Sequence, residues 1–485
     1  MPTRGRRASG EPERGRRREA RPPPPGSPTG DAPAPAGRRR SPYLIRTPFR
    51  TRRVTLPVDA SGIDQRLGGR DAAVRRASAL LPTARRRTNG GSTAYRRHAS
   101  PARVFSGRPQ PPVPRASRVH TAARLPRRAG ARPTSAASQE ALVLAPSVYP
   151  GFEQAYVDVL GHIVRDHEYR NAPRGNASRE CLGLSFKLTG PRERLPFLAA
   201  RKVNPAFHFA EALWYIAGRN DLDMIAYYAP RMRSDSRDGA TVSGSAYGSR
   251  IFNPVGDDTL SPFDRVLSLL HGEPDSKRGL LPIFEARELA VADNPDMSCA
   301  VALHLLVREG KLHMVCSMRA NDCDRGLLAD VFSFTMIQEY AAVQLGLGLG
   351  TYTHHIGSAH LGDRDFDRVQ RVLAEAADRP APPTSRFPFP PMPADTTPQT
   401  IATVLGHEEA LRTNQVQYRP TDIAGLGLQP YWQQVLLLFE AKRQLVHCPA
   451  DPVEKDVLAS LDAGPRWLLA HRWPSRMPRG FGPVR

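Results

Sequence analysis

The sequence predicts an α+β protein, a mixed β-sheet packed with buried helices behind a long basic head. Three observations predict it. Alternating and helical apolar patterns follow one another without the regular βα succession of a doubly wound fold. Two helix-length stretches are apolar on nearly every face, which places them inside. Finally, the excess charge sits at one end: residues 1–140 hold 32 arginines, no lysine and 8 acidic residues. Of the 69 basic and 47 acidic residues in the 485-residue chain, the remainder therefore keeps 37 and 39, close to neutrality. The pI of about 10.5 belongs to the head.

That head, residues 1–140, is rich in Arg, Pro, Ala, Gly and Ser and poor in aromatics. It has too little apolar surface to offset chain entropy, so disorder is expected. It reads as a nucleic-acid-binding arm that neutralises phosphates, as an Arg-rich transit peptide, or as GC-rich sequence upstream of the true start. The last is preferred over nucleic-acid binding, although Met1 is the only methionine before Met224, so a later start needs a non-Met codon. No apolar run reaches the roughly 18 residues of a membrane span, and no secretory segment is visible. Five cysteines, odd in number and without C-x-x-C spacing, indicate neither a disulfide framework nor a zinc site. The expectation is a soluble protein of the reducing cytoplasm, with no membrane contact and no metal.

Order is expected from residue 141. "FEQAYVDVLGHIVRD" spaces its apolar residues as a helix does, and "ECLGLSFKL" alternates as a strand does. "NPAFHFAEALWYIAGRNDLDMIAYYA" reads as a buried helix with Gly218 as its C-cap. "SCAVALHLLVREGKLHMVCSMR" gives two strands joined at Glu309 and Gly310, a hairpin signal. "ADVFSFTMIQEYAAVQLGLGLG" is a second buried helix ending in glycines, and Asp330 is a favoured residue for capping its start. A Pro-rich stretch ends near residue 395, and 396–485 reads as a mostly helical extension.

Pairing across the hairpin sets Cys299 within about a residue of Arg319. A guanidinium beside a thiol favours the thiolate and makes it a usable nucleophile. A one-residue slip would send the two to opposite faces. Taken alone, Cys299 is more simply core filler, Arg319 and Asp322 an ion pair at a strand end, His360 a loop histidine, and Lys277 and Arg278 a solvated turn. Glu211 resists such a reading, because its helix leaves no polar face; a carboxylate there has its pKa raised toward the working range.

"PRGNAS", "EALWYIAG", "SAYGSR", "EPDSKR", a cysteine before a hairpin, "MRANDCDRGLLAD" and "HIGSAH" occur in this order through roughly residues 152–375. The series resembles the thymidylate synthase family, and more closely its pyrimidine-nucleotide (CMP/dCMP) hydroxymethylase branch. The resemblance implies a thymidylate synthase-like fold in a sheet-to-sheet homodimer, a catalytic domain over 141–395, a nucleoside monophosphate substrate and 5,10-methylenetetrahydrofolate as co-substrate. It makes Cys299 the nucleophile that adds to C6 of the pyrimidine, Arg319 and Arg174 phosphate ligands, and Lys277 and Arg278 cations lent to the neighbouring subunit's site. Glu211 becomes the general acid/base, Tyr247 the assistant in removing the C5 proton, His360 the sugar ligand and Asp322 the pterin ligand. Asp324 and Arg325 are left to pair with one another.

Departures from the family pattern sharpen this. Synthases have Pro-Cys-His where this chain has Ser298, Cys299 and Ala300; the serine after the phosphate arginine is Ala320; a sugar-binding tyrosine is Gly362; and "YYAPRMRSDSRDG" lacks the tryptophans that pack on the folate. Asp330 stands where synthases have an Asn that donates to O4 of uracil. An ionised carboxylate cannot donate, and a mismatched buried polar atom costs about 1–3 kcal/mol. Cytosine, with an amino donor at C4, fits better. The expectation is folate-dependent C5-hydroxymethylation of CMP or dCMP, with methylation of dUMP and a non-catalytic nucleotide or nucleic-acid binder as alternatives.

Overall fold

The computed structural model describes residues 145–379 and 386–483; the head and the calls made on it lie outside the described residues. The elements run β1 (Ser147–Tyr149), α1 (Phe152–Asp166), β2 (Tyr169–Asn171), β3 (Ser178–Leu188), α2 (Pro205–Ile216), α3 (Leu222–Tyr228), α4 (Tyr247–Phe252) and α5 (Pro262–Gly272). They continue with β4 (Leu280–Pro282), β5 (Ala300–Arg308), β6 (Lys311–Asp322), α6 (Gly326–Gln344), β7 (Gly348–Gly362) and α7 (Phe366–Asp378). The C-terminal part is helical: α8 (Pro398–Arg412), α9 (Pro420–Ala424), α10 (Pro430–His447), α11 (Lys455–Ser460) and α12 (Ala463–Arg472).

The sheet is mixed, in the order β1-β3-β7-β6-β5-β4, with β2 added on β3. β1/β3 and β6/β7 run parallel and the other pairs antiparallel. Parallel β6 and β7 need a crossover, and α6 supplies it. Sixteen of the nineteen residues of α6 are buried, from Leu327 to Ala342, so this helix is interior on every side. It packs on α2, where eleven of twelve residues are buried. The core they form is continuous with that of α8, α10 and α12.

Two sequence expectations change here. The long apolar stretch after Asn204 is two helices: α2 stops before Gly218, which takes φ +64°, and Asp221 caps α3 by accepting the Met224 N–H. A Cβ at Gly218 would lie 2.2 Å from Asn253 Oδ1, so both backbone and space require glycine there. The second buried helix begins at Gly326, five residues earlier than a cap at Asp330 would allow. Asp330 is therefore an interior helix residue, and the capping alternative for it is excluded.

Asp324 does more than pair with Arg325, which it meets at 3.8 Å. It is wholly buried; its carbonyl and carboxylate accept the Tyr156 hydroxyl of α1 at 2.8 and 3.2 Å, Arg201 Nη2 donates to its carbonyl at 2.9 Å, and Arg368 of α7 donates to its other oxygen. Three separate segments are thereby tied to the turn that leads into α6. Removing one partner of a buried charge network leaves the others uncompensated, at a cost of about 3–5 kcal/mol. Asp324→Ala should lose about that much stability in urea unfolding; a loss below 1 kcal/mol would show that the network is not holding the turn.

Candidate active site

The two-residue link Glu309-Gly310 has both φ values positive, 51° and 69°, and connects Arg308 to Lys311 as the sequence expects. From there the register is regular to Ala302↔Ser317, after which Val301 is bulged out and Ala300 pairs with Met318. The bulge decides the site. Without it Ala300 would face Arg319; with it, the Arg319 N–H reaches the Cys299 carbonyl at 2.8 Å and the two side chains share a face. Ile283 and Phe284 pin the bulge by donating to the Val301 carbonyl at 2.9 and 3.1 Å.

The Arg319 guanidinium folds back over this turn, with Nε on Ser298 O at 2.7 Å and Nη2 on Met297 O at 2.9 Å. Asp322 makes no ion pair with Arg319 among the described residues; its Oδ1 accepts the N–H groups of Asp324 and Arg325, which leaves its second oxygen open. The favoured thiolate expected at Cys299 needs correction. Burial pushes the thiol up and outweighs Arg319, with Asp330 and Asp296 adding to the rise and Arg174 opposing it. A resting thiol is the consequence, deprotonated only as it reacts.

A brace that sequence reading missed holds this turn. Asp296 accepts the backbone N–H groups of Ser243, Gly244 and Ser245 at 3.0, 2.7 and 2.9 Å, and the Ser245 hydroxyl at 2.7 Å. Gly244 lies so close that a Cβ would stand 1.7 Å from the Asp296 carbonyl. Ser298 donates to Gly244 O at 2.6 Å and accepts from Arg250, which also pairs with Glu288. Ser298, next to Cys299, thus joins the Cys299 turn to the start of α4, where Tyr247 sits. Tyr247 is buried and stacks on Tyr215 of α2, ring centroids 5.4 Å apart.

Glu211 and Asp330 face one another across the α2–α6 contact. Ser333 Oγ donates to Glu211 Oε2 at 3.0 Å, and Asn321 Nδ2 donates to Asp330 Oδ2 at 2.7 Å. Burial and then the neighbouring Asp330 push Glu211 up to about 8. Burial pushes Asp330 up to about 7, against the pull of Asn321 and of Arg231. The expected ionised Asp330 is corrected accordingly: near neutral pH this group is partly protonated and can donate as well as accept.

The remaining expected residues are distributed as follows. Arg174, in a left-handed turn at φ 52°, reaches Pro295 O at 3.5 Å, on the segment that precedes Cys299. His360 is a strand residue of β7, paired with Asp322 of β6 and Glu180 of β3. Lys277 and Arg278 are exposed; the Lys277 carbonyl meets His304, five residues along the strand from Cys299, or about 17 Å. The structure does not bring these two to the site within one chain. Among the described residues no group of three or more His, Cys, Asp or Glu could hold a metal, and no helix is long and apolar enough to cross a membrane. An apolar cavity of about 440 Å³ lies beside α2 between Phe209, Phe387 and Tyr431 and includes none of these residues.

The model of the thymidylate synthase family matches residues 154–388, which take in every site residue named above. Residues 154–388, just under half of the chain, are thus similar to that family. One-carbon transfer from methylenetetrahydrofolate is the chemistry of that family. The chain is similar to the deoxyuridylate hydroxymethyltransferases of Pseudomonas phage M6, 32% identical over 195 residues, and Bacillus phage SP01, 29% over 233 residues. The matches cover 40% and 45% of this chain and 53% and 60% of those proteins. It therefore spans little more than half of these relatives' length. A thermostable thymidylate synthase A from Bacillus subtilis matches at 20% identity with a TM-score of 0.39, over 46% of this chain and 84% of that one.

The raised pKa of Glu211 sets a sign for stability. The folded state holds this proton more tightly than the unfolded chain, so its contribution is full below pH 4.5 and is lost as pH rises through about 8, a change of roughly 4–5 kcal/mol. Glu211→Gln should remove most of that slope and leave the variant more stable than the wild type at pH 8 by urea unfolding. An unchanged slope would place the carboxyl in water. Arg319→Ala should move the pH midpoint of Cys299 alkylation by iodoacetamide upward, since the guanidinium favours the thiolate; an unmoved midpoint would show that the pairing has no electrostatic effect on the thiol.

Proposed function

We propose that this site hydroxymethylates C5 of a cytidine nucleotide, CMP or dCMP, with 5,10-methylenetetrahydrofolate as the one-carbon donor and water as the final nucleophile. Residues 141–395 form the catalytic domain and 396–485 an extension of it. The observation that carries the reading is the buried Asp330 carboxyl, with one oxygen committed to Asn321 and its pKa near neutrality. In the protonated form it presents one donor and one acceptor, which match N3 and the 4-amino group of cytosine.

Cys299 adds to C6 and transfers its proton as it does so, C5 becomes nucleophilic, and the donor supplies the one-carbon unit. Tyr247 assists loss of the C5 proton, tetrahydrofolate leaves from the one-carbon unit to give an exocyclic methylene, water adds to that methylene, and expulsion of the Cys299 thiolate from C6 restores the C5–C6 double bond. Glu211, protonated at rest by its raised pKa, serves as the general acid and orders the water. Arg319 and Arg174 take the phosphate, His360 the sugar, and the open oxygen of Asp322 a pterin N–H. Lys277 and Arg278, remote within one chain, complete the site of a second copy in a homodimer.

One observation favours a second reading, deoxyuridylate. A protonated Asp330 also matches uracil, donating to O4 and accepting N3–H, and both phage relatives carry that substrate in their names. The two differ in where the proton rests: cytosine N3 shares it with Asp330, whereas uracil leaves it to Asp330 alone. Incubating the protein with CMP, dCMP, UMP and dUMP plus methylenetetrahydrofolate, with product masses read out, separates base, sugar and finish. Hydroxymethylated cytidine product, absent with Cys299→Ala, is expected. Turnover of dUMP alone would end the cytosine assignment, and an active Cys299→Ala enzyme would end that of the nucleophile.

A further inference from the structure

We infer that Asn321, oriented by His354 and Tyr352, is the positioning residue that fixes Asp330 for reading the base. This rests on the assignment of Asp330 as the base-reading group. Behind Asp330 runs a buried file of side chains. Asn321 Nδ2 lies 2.7 Å from Asp330 Oδ2, Asn321 Oδ1 lies 3.0 Å from His354 Nε2, and His354 Nδ1 lies 2.7 Å from the Tyr352 hydroxyl. Asn321 is 2% exposed, and His354 and Tyr352 are wholly buried.

The file has one consistent direction. The amide turns its NH2 to the carboxylate oxygen, so its carbonyl faces His354 and must be met by an N–H there. Nε2 therefore carries the ring proton, Nδ1 is left as an acceptor, and the Tyr352 hydroxyl donates to it. Burial holds His354 far below its ordinary range, at about 3, so the neutral ring keeps this arrangement across working pH. Its plane is fixed by stacking on Phe186, with centroids 5.3 Å apart at 21°. If Asn321 turned over, carbonyl would face carboxylate and NH2 would face the His354 N–H, two mismatches in a dry interior.

Two consequences follow for Asp330. One lone pair of Oδ2 is occupied by a donor, which sets the carboxyl plane and leaves Oδ1 and the second lone pair of Oδ2 to meet a base. The amide also favours the ionised form, which restrains the rise that burial imposes. Other groups act on the same carboxyl: Glu211 and Tyr215 from α2, Tyr247 from α4, Cys299, Arg231 from the segment before residue 235, Asp322 on β6, and Cys316 and Tyr352 in the sheet. Arg231 is the one cation among these, and its guanidinium belongs to an exposed residue. Asn321 is the group that contacts the carboxyl directly.

The test is nucleotide affinity without folate, by calorimetry with CMP and UMP from pH 5.5 to 8.5, on the full chain. Asn321→Leu should weaken the preferred nucleotide about tenfold, shrink the preference between bases, and move the pH midpoint of binding upward. Tyr352→Phe, which removes one hydroxyl at the far end of the file, should act in the same direction about threefold and leave the fold intact. Asp330→Ala is the control for the underlying assignment. If it leaves the preference untouched, Asp330 does not read the base. If it abolishes the preference while Asn321→Leu and Tyr352→Phe keep both preference and pH midpoint, the file does not position it. An equal loss for both bases with no pH change would also overturn the inference, since it marks a merely structural role.

Discussion

The hydrogen bond from the Arg319 N–H to the Cys299 carbonyl closes the last rung of the β5–β6 ladder, and it exists because one residue, Val301, is set out of register. From that rung the other features can be traced. It puts thiol and guanidinium on one face, lets Arg319 wrap the 297–299 turn, and brings that turn within reach of the Asp296 and Ser298 brace. The brace then fixes where α4 begins, and with it the Tyr247 ring.

Opposite this polar rim lies a different solution to the placement of charge. Glu211 and Asp330 are sunk between two helices whose buried residues are mostly apolar, where an ionised carboxylate is costly. The fold resolves this by letting both groups hold protons near neutrality rather than by giving them cationic partners. Asp324, a few residues away, takes the other course, surrounded by Tyr156, Arg201 and Arg368. Acids close together in one short segment thus serve opposite ends: Asp324 is paired and locks the chain, and Asp330 remains titratable.

Much of this could be read from the residues alone, because local signals carry it. Glu309-Gly310 between two alternating runs fixes a hairpin, and a carboxylate in the setting of Ala210, Leu213 and Trp214 must be perturbed. The order of motifs pointed to the family whose model matches residues 154–388. Features that depend on pairing across long sequence separations could not be read. The bulge at Val301 has no composition of its own. Asn321 and His354 are 33 residues apart on parallel strands, and Asp296 meets residues 243–245 only once both loops are placed. The Cys299 thiol was misjudged because the nearest cation is visible in sequence while the depth of burial is not.

The tight turn at Glu309 and Gly310 has a further consequence, in the order of folding. A hairpin with a two-residue link forms in microseconds, since little chain must be closed to make its first rungs. β3 must wait for β7, whose pairing joins Leu188 to Tyr352, and α2 must find α6 across more than a hundred residues. Cys299 and Arg319 therefore meet while the carboxylates that complete the site are still apart. Until α6 docks, the Cys299 thiol lies beside a cation without its cover, the setting in which a thiol is most open to oxidation. In a cell, rapid docking of α6 would protect this cysteine as well as stabilise the fold.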